Sequence, residues 1–177
     1  MSDMIVIDPD GDLILRTPEA CFKVCSAALR RASPVFKTML FGPWRESKPA
    51  TGDWIVDLPE ETKFVLNSVL PIIHAVPVLV KPFVDIDPFI DVLMFADKYD
   101  MKEILQPWIT NAVRDDSCRW NYSHVVKSRG ERFIKFMQVA WDYGLENVID
   151  FALRAIVWSA TESEISPAND RIIRSKK

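Results

Sequence analysis

The predicted fold is built around the stretch from Phe22 to Glu46, FKVCSAALRRASPVFKTMLFGPWRE. Phe22 and Val24 recur at the period of two that a half-buried strand requires. Ser26 can cap a helix directly after this strand, because the residues from Ala27 to Arg31 favour helix. The stretch therefore predicts a strand that turns into a helix within one or two residues.

A second helix is predicted to begin after Ser33. Ser33 can accept a hydrogen bond as its N-cap, and Pro34 fits the first helical position, where a missing amide costs nothing. Gly42 and Pro43 end the helix. Its apolar side chains recur at helical spacing at Val35, Phe36, Met39 and Leu40.

These motifs resemble the strand, helix hairpin and exit loop of BTB/POZ domains, and the fungal members of that family most of all. The residues that carry the resemblance are Phe22-x-Val24, Leu29-x-x-Ala32-Ser33-Pro34-Val35-Phe36, Met39-Leu40 and Trp44-x-Glu46. Cys25 stands where many members have a His. Three later features also resemble the family, namely the Leu58-Pro59 pair before a helix, His74 before a turn, and Ala96-Asp97-Lys98-Tyr99-Asp100.

The resemblance implies an α+β fold with a small three-stranded mixed sheet flanked by helical hairpins, plus a C-terminal helical extension. The resemblance covers a BTB/POZ domain (4–113) and a helical extension (131–160). Polar composition predicts a linker between them (114–130), and the lack of apolar periodicity predicts a mobile tail (161–177). Two apolar stripes predict the helices of the extension, from Phe133 to Trp141 and from Leu145 to Ile156.

At the N-terminus, two short apolar runs predict a hairpin that feeds the strand at Cys21–Cys25. The runs are Met4–Ile7 and Leu13–Leu15, and the turn between them is Asp8-Pro9-Asp10-Gly11. Asp8, Asp10 and Asp12 superficially resemble a calcium loop. No bidentate Glu follows at the required distance, so turn chemistry is the favoured interpretation.

The rest of the first domain is predicted to hold one strand and three helices. Trp54–Val56 reads as the strand, Pro59 opens a helix that Pro71 kinks, and Asp87 caps a helix opened by Pro88. Asp100 and Glu103 have the spacing of a capping box for a further helix. Pro107 predicts a kink or a fresh start at Gln106.

Composition places the chain among globular proteins of one domain or slightly more, with 177 residues, 49% apolar residues and a net charge of −3. No apolar run approaches the roughly 20 residues that span a bilayer. Acids occupy the N-terminus, where a signal peptide would carry basic residues, so an intracellular protein of the nucleus or cytoplasm is predicted. Cys21, Cys25 and Cys118 form no Cys-x-x-Cys pair, which agrees with a reducing compartment.

The motifs of most enzymes are missing from the sequence. The five glycines form no phosphate-binding loop, and no Gly-x-Ser-x-Gly or His-Glu-x-x-His pattern is present. A structural role is favoured for His74, and buried thiols are favoured for Cys21 and Cys25, although a Cys nucleophile stays open as an alternative. We expect a non-enzyme with no cofactor and no metal.

The family resemblance implies a protein-interaction module that acts as an adaptor or scaffold. In members that bind cullins of ubiquitin ligases, a hydrophobic residue, any residue and Glu follow the helix hairpin, and the matching positions here are Trp44, Arg45 and Glu46. The competing interpretation is that Trp44 closes the domain's own core. The alternative function is a self-associating transcriptional or chromatin co-regulator.

The expected partners are other proteins, with no direct nucleic acid and no membrane. Basic residues are scattered, apart from the tail at Arg171, Arg174, Lys176 and Lys177. Many dimeric family members exchange a helix that precedes the first strand, and only Met1–Asp3 precede it here. A homo-oligomer would therefore form by another surface, and the chain resembles the compact form related to elongin C.

Overall fold

The structure, a computed structural model, describes residues 3–77, 86–114 and 131–157. These residues form a mixed α+β structure, which confirms the predicted class. The strands are β1 (Asp3–Val6), β2 (Leu13–Arg16), β3 (Ala20–Val24) and β4 (Ile55–Asp57). The helices are α1 (Ser26–Ala32), α2 (Pro34–Phe41), α3 (Lys63–Ile73), α4 (Ile86–Lys98), α5 (Lys102–Arg114), α6 (Glu131–Asp142) and α7 (146–157).

The sheet has four strands in the order β1-β3-β2-β4, so the prediction of three strands is wrong. β2 and β3 are antiparallel, whereas β1 runs parallel to β3 and β4 runs parallel to β2. The predicted hairpin between the first two strands is also wrong. The hairpin forms one strand later, where Thr17 Oγ1 accepts a hydrogen bond from the Ala20 amide at 3.1 Å.

The first strand reaches its parallel position because the chain crosses the end of β3. The amides of Ile7 and Asp8 both donate to the carbonyl of Lys23, at 3.0 and 3.2 Å. Gly11 then passes so close to Val24 that an added Cβ would lie 2.6 Å from the Val24 carbonyl oxygen. Only glycine allows this approach, after which the chain returns as β2 on the other side of β3.

The described chain divides into two compact units. The N-terminal unit comprises residues 1–81 and 91–112 and contains the sheet, α1–α3 and most of α4 and α5. One face of β3 is fully buried at Ala20, Phe22 and Val24, as its alternation predicts. Helical side chains that complete the core of this unit include Leu29, Phe36, Leu40, Leu66, Leu70, Leu93, Phe95 and Leu105.

Of the two predicted helix caps, the cap of α2 is confirmed and the cap of α1 is wrong. Ser33 accepts a hydrogen bond from the Phe36 amide at 2.9 Å, and Gly42 ends α2, both as predicted. The predicted Ser26 cap is wrong. Asp12 caps α1 instead, because its carboxylate accepts from the Ser26 amide at 2.8 Å and from Ser26 Oγ at 2.9 Å.

Several helix boundaries depart from the sequence-based expectation. α3 begins at Lys63 behind a Thr62 cap, later than predicted, and it continues through Pro71. α4 already includes Ile86, ahead of the predicted Asp87 cap. α5 runs unbroken through Pro107, which is exposed, so of the two predicted alternatives the fresh start at Gln106 is wrong.

The predicted capping box before α5 is replaced by a turn that ends α4. Asp100 takes a left-handed conformation with φ of +50°, and the Met101 amide donates to the Ala96 carbonyl at 2.8 Å. The Asp100 amide donates to the Asp97 carbonyl at 3.1 Å. This pair of bonds is the Schellman arrangement of a helix C-terminus, so Asp100 ends one helix and does not cap the next.

The C-terminal unit comprises residues 82–90 and 113–177, of which 86–90, 113–114 and 131–157 are described. Most positions of the two predicted stripes are buried, among them Phe136, Ala140, Leu145, Val148 and Ala152. Gly144 turns the chain between the two helices with φ of +67°. Most of the predicted linker, Cys118 and the predicted tail lie outside the described residues.

Candidate functional site

The loop that follows α2 presents a large aromatic side chain to solvent. This segment, residues 42–48, is called the Trp44 loop below. The side chain of Trp44 does not close the domain core, since 58% of the residue's surface is exposed. The neighbouring Trp54 is buried instead, and its indole Nε1 donates to the Glu46 carbonyl at 2.8 Å.

Hydrogen bonds within the Trp44 loop hold its backbone in one conformation. Ser47 Oγ accepts from the Trp44 amide at 3.3 Å and donates to the Gly42 carbonyl. The Ser47 amide donates to the Trp44 carbonyl at 3.1 Å. Together with the bond from Trp54, these contacts tie the loop at both ends, so Trp44 projects from an ordered turn.

Gly42 lets the Trp44 ring lie directly against the end of α2. The Gly42 amide donates to the Thr38 carbonyl at 2.9 Å and so ends the helix. A Cβ added at Gly42 would lie 2.9 Å from Trp44 Cδ1 and would also collide with the Thr38 carbonyl oxygen. The orientation of the Trp44 ring therefore depends on the absence of a side chain at this position.

Arg45 and Glu46 differ sharply in exposure. The Arg45 side chain is 92% exposed, and its Nε lies 3.8 Å from Glu46 Oε1. The Glu46 side chain is 32% exposed, so its carboxylate can still accept a further hydrogen bond. The three residues expected from the sequence thus lie together on one loop and offer an aromatic ring, a guanidinium and a carboxylate.

A second exposed aromatic side chain, Phe41, lies at the end of α2 beside this loop. The Arg30 guanidinium lies over the Phe41 ring at 5.0 Å from its centroid. Phe41 meets Trp54 edge to face, with ring centroids 5.9 Å apart, and Lys48 Nζ lies 5.7 Å from the Trp54 centroid. The contacts form a continuous row of cation, ring, ring and cation.

Carboxylates near the loop carry perturbed pKa values. Burial by itself would raise the pKa of Asp12, but the hydrogen bonds from Ser26, with the charge of Lys48 at 3.7 Å, lower it below its ordinary value. The pKa of Asp57 is lowered mainly by its hydrogen bonds from Arg16, and the charge of Arg45 contributes. Two basic side chains of the Trp44 loop therefore stabilise the ionised forms of these carboxylates.

His74 is fixed in the fold by both ring nitrogens. Its Nε2 accepts from the Cys25 amide at 3.0 Å, so its Nδ1 carries the proton and donates to the Leu70 carbonyl at 2.8 Å. This geometry confirms the structural role predicted for His74. Cys21 and Cys25 are half-buried, which departs from the prediction of buried thiols, and Cys25 is the N-cap residue of α1, directly after β3.

An ionic cluster joins the segment before α3 to the end of α4, with Glu61 buried but Glu60 and Lys98 exposed, and no sequence pattern indicates it. Lys98 Nζ donates to Glu60 Oε2 at 2.8 Å and to Glu61 Oε1 at 2.7 Å. The Tyr99 hydroxyl donates to the same Glu61 oxygen at 3.2 Å, while its ring stacks on Phe36 at 4.5 Å. Lys98 and Tyr99 lie within a stretch that carried the family resemblance, but a pairing across 38 residues has no local signal.

The pKa values in this cluster follow from its geometry. Burial by itself would lower the pKa of the Lys98 ammonium, but the hydrogen bonds to Glu60 and Glu61 outweigh burial and raise it. Burial also raises the pKa of the Tyr99 hydroxyl, and the charge of Glu61 adds to that effect. Every perturbed group is already bound to another member of the cluster, which is the arrangement of a structural ion-pair network.

The C-terminal unit exposes apolar surface of a different kind. An open groove of about 640 Å³ runs along α6 and reaches the start of α7. Trp141, at the end of α6, is 73% exposed, so its place on the predicted buried stripe is wrong. The groove is lined by Phe133, Ile134, Met137, Gln138, Trp141, Asp142 and Ile149.

The described parts of the chain contain neither a metal-binding cluster nor a membrane-spanning helix. No group of three or more His, Cys, Asp or Glu residues within 3–77, 86–114 and 131–157 could hold a metal ion. None of the helices in those ranges is long and apolar enough to cross a bilayer. A scan of the sequence against protein-family models gives no match, and a search of curated proteins gives none either.

Proposed function

We propose that the chain is a protein-interaction module of the BTB/POZ type that acts as an adaptor or scaffold and carries out no catalysis. The observation that supports the proposal most directly is the exposure of the Trp44 side chain. A tryptophan whose surface is 58% exposed stands on a loop that is hydrogen-bonded at both ends. Solvent exposure of so large a ring has a cost in water, which a partner's apolar pocket would remove.

Trp44 has the properties of an interface anchor. Trp is among the residues that contribute most to binding when a partner buries it. An anchor that is already held in place loses little conformational entropy on binding, and the contacts of Ser47 and Gly42 restrict this loop in advance. The exposed Phe41 nearby enlarges the apolar surface that a partner can cover.

The nature of the partner follows from the family resemblance as a hypothesis. In this proposal, Trp44 fills an apolar pocket on a helix of a cullin and Glu46 accepts a hydrogen bond from that helix. Glu46 retains acceptor capacity because its contact with Arg45 is long, at 3.8 Å. The chain would then bring its other bound proteins to a ubiquitin ligase.

A catalytic function has weaker support in the geometry. A cysteine nucleophile at Cys25 would need a nearby base, and His74 is the histidine beside it. Both ring nitrogens of His74 already take part in hydrogen bonds with backbone groups. The perturbed groups around Lys98 likewise neutralise one another.

Affinity capture from native extract tests the proposal. We expect the purified chain to capture a cullin, and Trp44→Ala together with Glu46→Ala to reduce the capture at least about tenfold, as loss of an interface anchor does. Trp141→Ala is the matched control, because that tryptophan is also exposed but lies in the C-terminal unit. Unchanged capture by the double variant, with an unaltered thermal melt, would contradict the proposal.

A second candidate is a self-associating transcriptional or chromatin co-regulator, and the edge of the sheet favours it. β1 lies at the edge, and its Met4 and Val6 are 54% and 53% exposed. An unprotected edge strand can pair with a strand of a second copy. Light scattering tests this: Val6→Lys should return a dimer to a monomer, whereas Val157→Lys, in the C-terminal unit, should not.

A further inference from the structure

The segment that carries Phe41 and Trp44 is positively charged although the protein as a whole is acidic. Five basic residues and one acid, Glu46, lie between Arg30 and Lys48, whereas the whole chain has a net charge of −3. We use the name basic rim for four of these basic residues. They are exposed at Arg30, Lys37, Arg45 and Lys48.

Contacts place the basic rim around the exposed aromatic rings. Arg30 lies over Phe41, and Lys48 lies over Trp54, which itself contacts Phe41. Arg45 is adjacent to Trp44 in the loop, with its side chain 92% exposed. Lys37 lies one helical turn before Phe41 and is therefore on the same side of α2.

Much of this positive charge is not neutralised within the molecule. Lys48 is 3.7 Å from Asp12, and Arg45 is 3.8 Å from Glu46, so both are weakly paired. In the described ranges of the chain, no carboxylate forms an ion pair with Arg30 or Lys37. A partner that brings carboxylates to this surface would find unpaired cations beside two aromatic rings.

We infer that this surface binds an acidic segment of a partner protein that also carries apolar side chains. The apolar side chains of the segment lie against Phe41 and Trp44, and its carboxylates face the basic rim. Charge complementarity of this kind raises the association rate and selects against basic partners. The inference rests on the proposed function and specifies the chemistry of the partner at the same surface.

Nucleic acid is the less favoured occupant of a surface that combines rings and cations. Single strands bind by stacking bases on open aromatic faces, and Arg30 already covers a face of the Phe41 ring. A net charge of −3 also repels a polyanion at long range. An acidic protein segment carries fewer charges than a nucleic acid, so attraction to the basic rim is enough to hold it.

The inference is tested with two synthetic amphipathic peptides that share one leucine pattern. One peptide has glutamate on its polar face and the other has lysine. Calorimetric titration of the whole chain should show binding of the glutamate peptide and at least about tenfold weaker binding of the lysine peptide. Raising the salt from about 50 to 300 mM should weaken the glutamate peptide several-fold, because exposed charges are screened.

Charge reversal sharpens the test. Lys37→Glu with Arg45→Glu changes two exposed side chains and should weaken the glutamate peptide about tenfold while it strengthens binding of the lysine peptide. The matched control is Lys135→Glu with Arg154→Glu, two exposed cations of the C-terminal unit, which should change neither affinity. Thermal melts of both variants establish that the fold is retained.

Distinct outcomes separate this inference from the proposed function. If Trp44→Ala weakens peptide binding but charge reversal does not, the surface is an interface without a preference for acidic partners, and the inference alone is overturned. If neither change has an effect, both proposals are overturned. Tighter binding of a uridine oligonucleotide than of the glutamate peptide, with competition between them, would also overturn the inference.

Discussion

Trp44 and Trp141 are both exposed tryptophans, one in each unit, and their surroundings differ. Trp44 projects from a loop that Ser47 and Trp54 hold by hydrogen bonds and that contains two exposed cations. Trp141 lies at the end of α6 beside an open apolar groove. Exposure alone therefore does not identify an interface. The fixed orientation of Trp44 and the cations in its loop make it the stronger candidate for one.

Gly42→Ala is expected to have the largest effect on stability and on partner capture. The added methyl group would collide with the Thr38 carbonyl and the Trp44 ring, so the helix end and the indole must shift. We expect a loss of about 1–3 kcal/mol in the free energy of unfolding, as for overpacking elsewhere. Partner capture should fall further than this loss of stability explains.

The matched control for that variant is Gly144→Ala in the C-terminal unit. An added Cβ meets nothing within 4 Å there, although φ of +67° makes alanine strained by about 1 kcal/mol. Chemical denaturation and capture are measured on both variants. If Gly144→Ala reduces capture as much as Gly42→Ala, the special role of the Trp44 loop is contradicted.

A smaller effect is expected for Ser47→Ala. This change removes the hydroxyl that accepts from the Trp44 amide and donates to the Gly42 carbonyl. We expect a loss of about 1 kcal/mol in stability and a several-fold loss in capture, because the loop is no longer held before binding. Ser68→Ala, which removes a hydroxyl bonded to the Phe64 carbonyl on an exposed part of α3, should leave capture unchanged.

The Asp12 carboxylate, which caps α1, makes the stability of the N-terminal unit depend on pH. Its pKa in the folded chain lies below the ordinary value of 3.8. The stabilisation is therefore fully present above pH 3.8 and is lost as the pH falls through the folded pKa. Asp12→Asn should cost about 0.5–1 kcal/mol at pH 7 and flatten the acid limb of the stability profile.

Urea denaturation of Asp12→Asn between pH 2 and 7 measures that effect. Asp10→Asn is the control, because Asp10 is an exposed acid of the same turn and its carboxylate does not cap α1. An acid limb as steep in Asp12→Asn as in the parent chain would show that this cap does not contribute to acid sensitivity.

The smallest changes in stability are expected at the residues that end helices in a left-handed conformation. The same left-handed turn ends α3 at Ala75, α4 at Asp100 and α6 at Gly144, with φ of +53°, +50° and +67°. Ala75→Gly and Asp100→Gly should each raise stability by about 0.5–1 kcal/mol, because glycine adopts this conformation without strain. Thermal melts of the two variants measure this, and a fall in stability for both would contradict the strain argument.

The sequence predicted features that depend on neighbours along the chain. Ser33, Pro34 and Gly42 mark the boundaries of α2 because caps act within one helical turn. The buried face of β3 at Phe22 and Val24 follows from an alternation that any strand shows. The loop that carries Trp44 could be located in the same way.

Features that depend on distant residues could not be predicted. The pairing of β1 with β3 depends on Gly11 crossing the end of a strand, and the cap of α1 comes from Asp12, 14 residues before Ser26. Trp44 is exposed whereas Trp54 is buried, and no local pattern distinguishes the two tryptophans. The basic residues around Phe41 are visible in the sequence, but the ring contacts that place Arg30 and Trp54 against Phe41 have no local signal.

The most direct test of the central claim, that the Trp44 loop is the binding surface, is site-specific photo-crosslinking. A benzophenone amino acid replaces Trp44 in one sample and Trp141 in another, and each is irradiated in native extract. We expect a discrete adduct with a partner polypeptide from position 44 and none from position 141. An adduct only from position 141, with the position-44 chain folded and uncrosslinked, would contradict it.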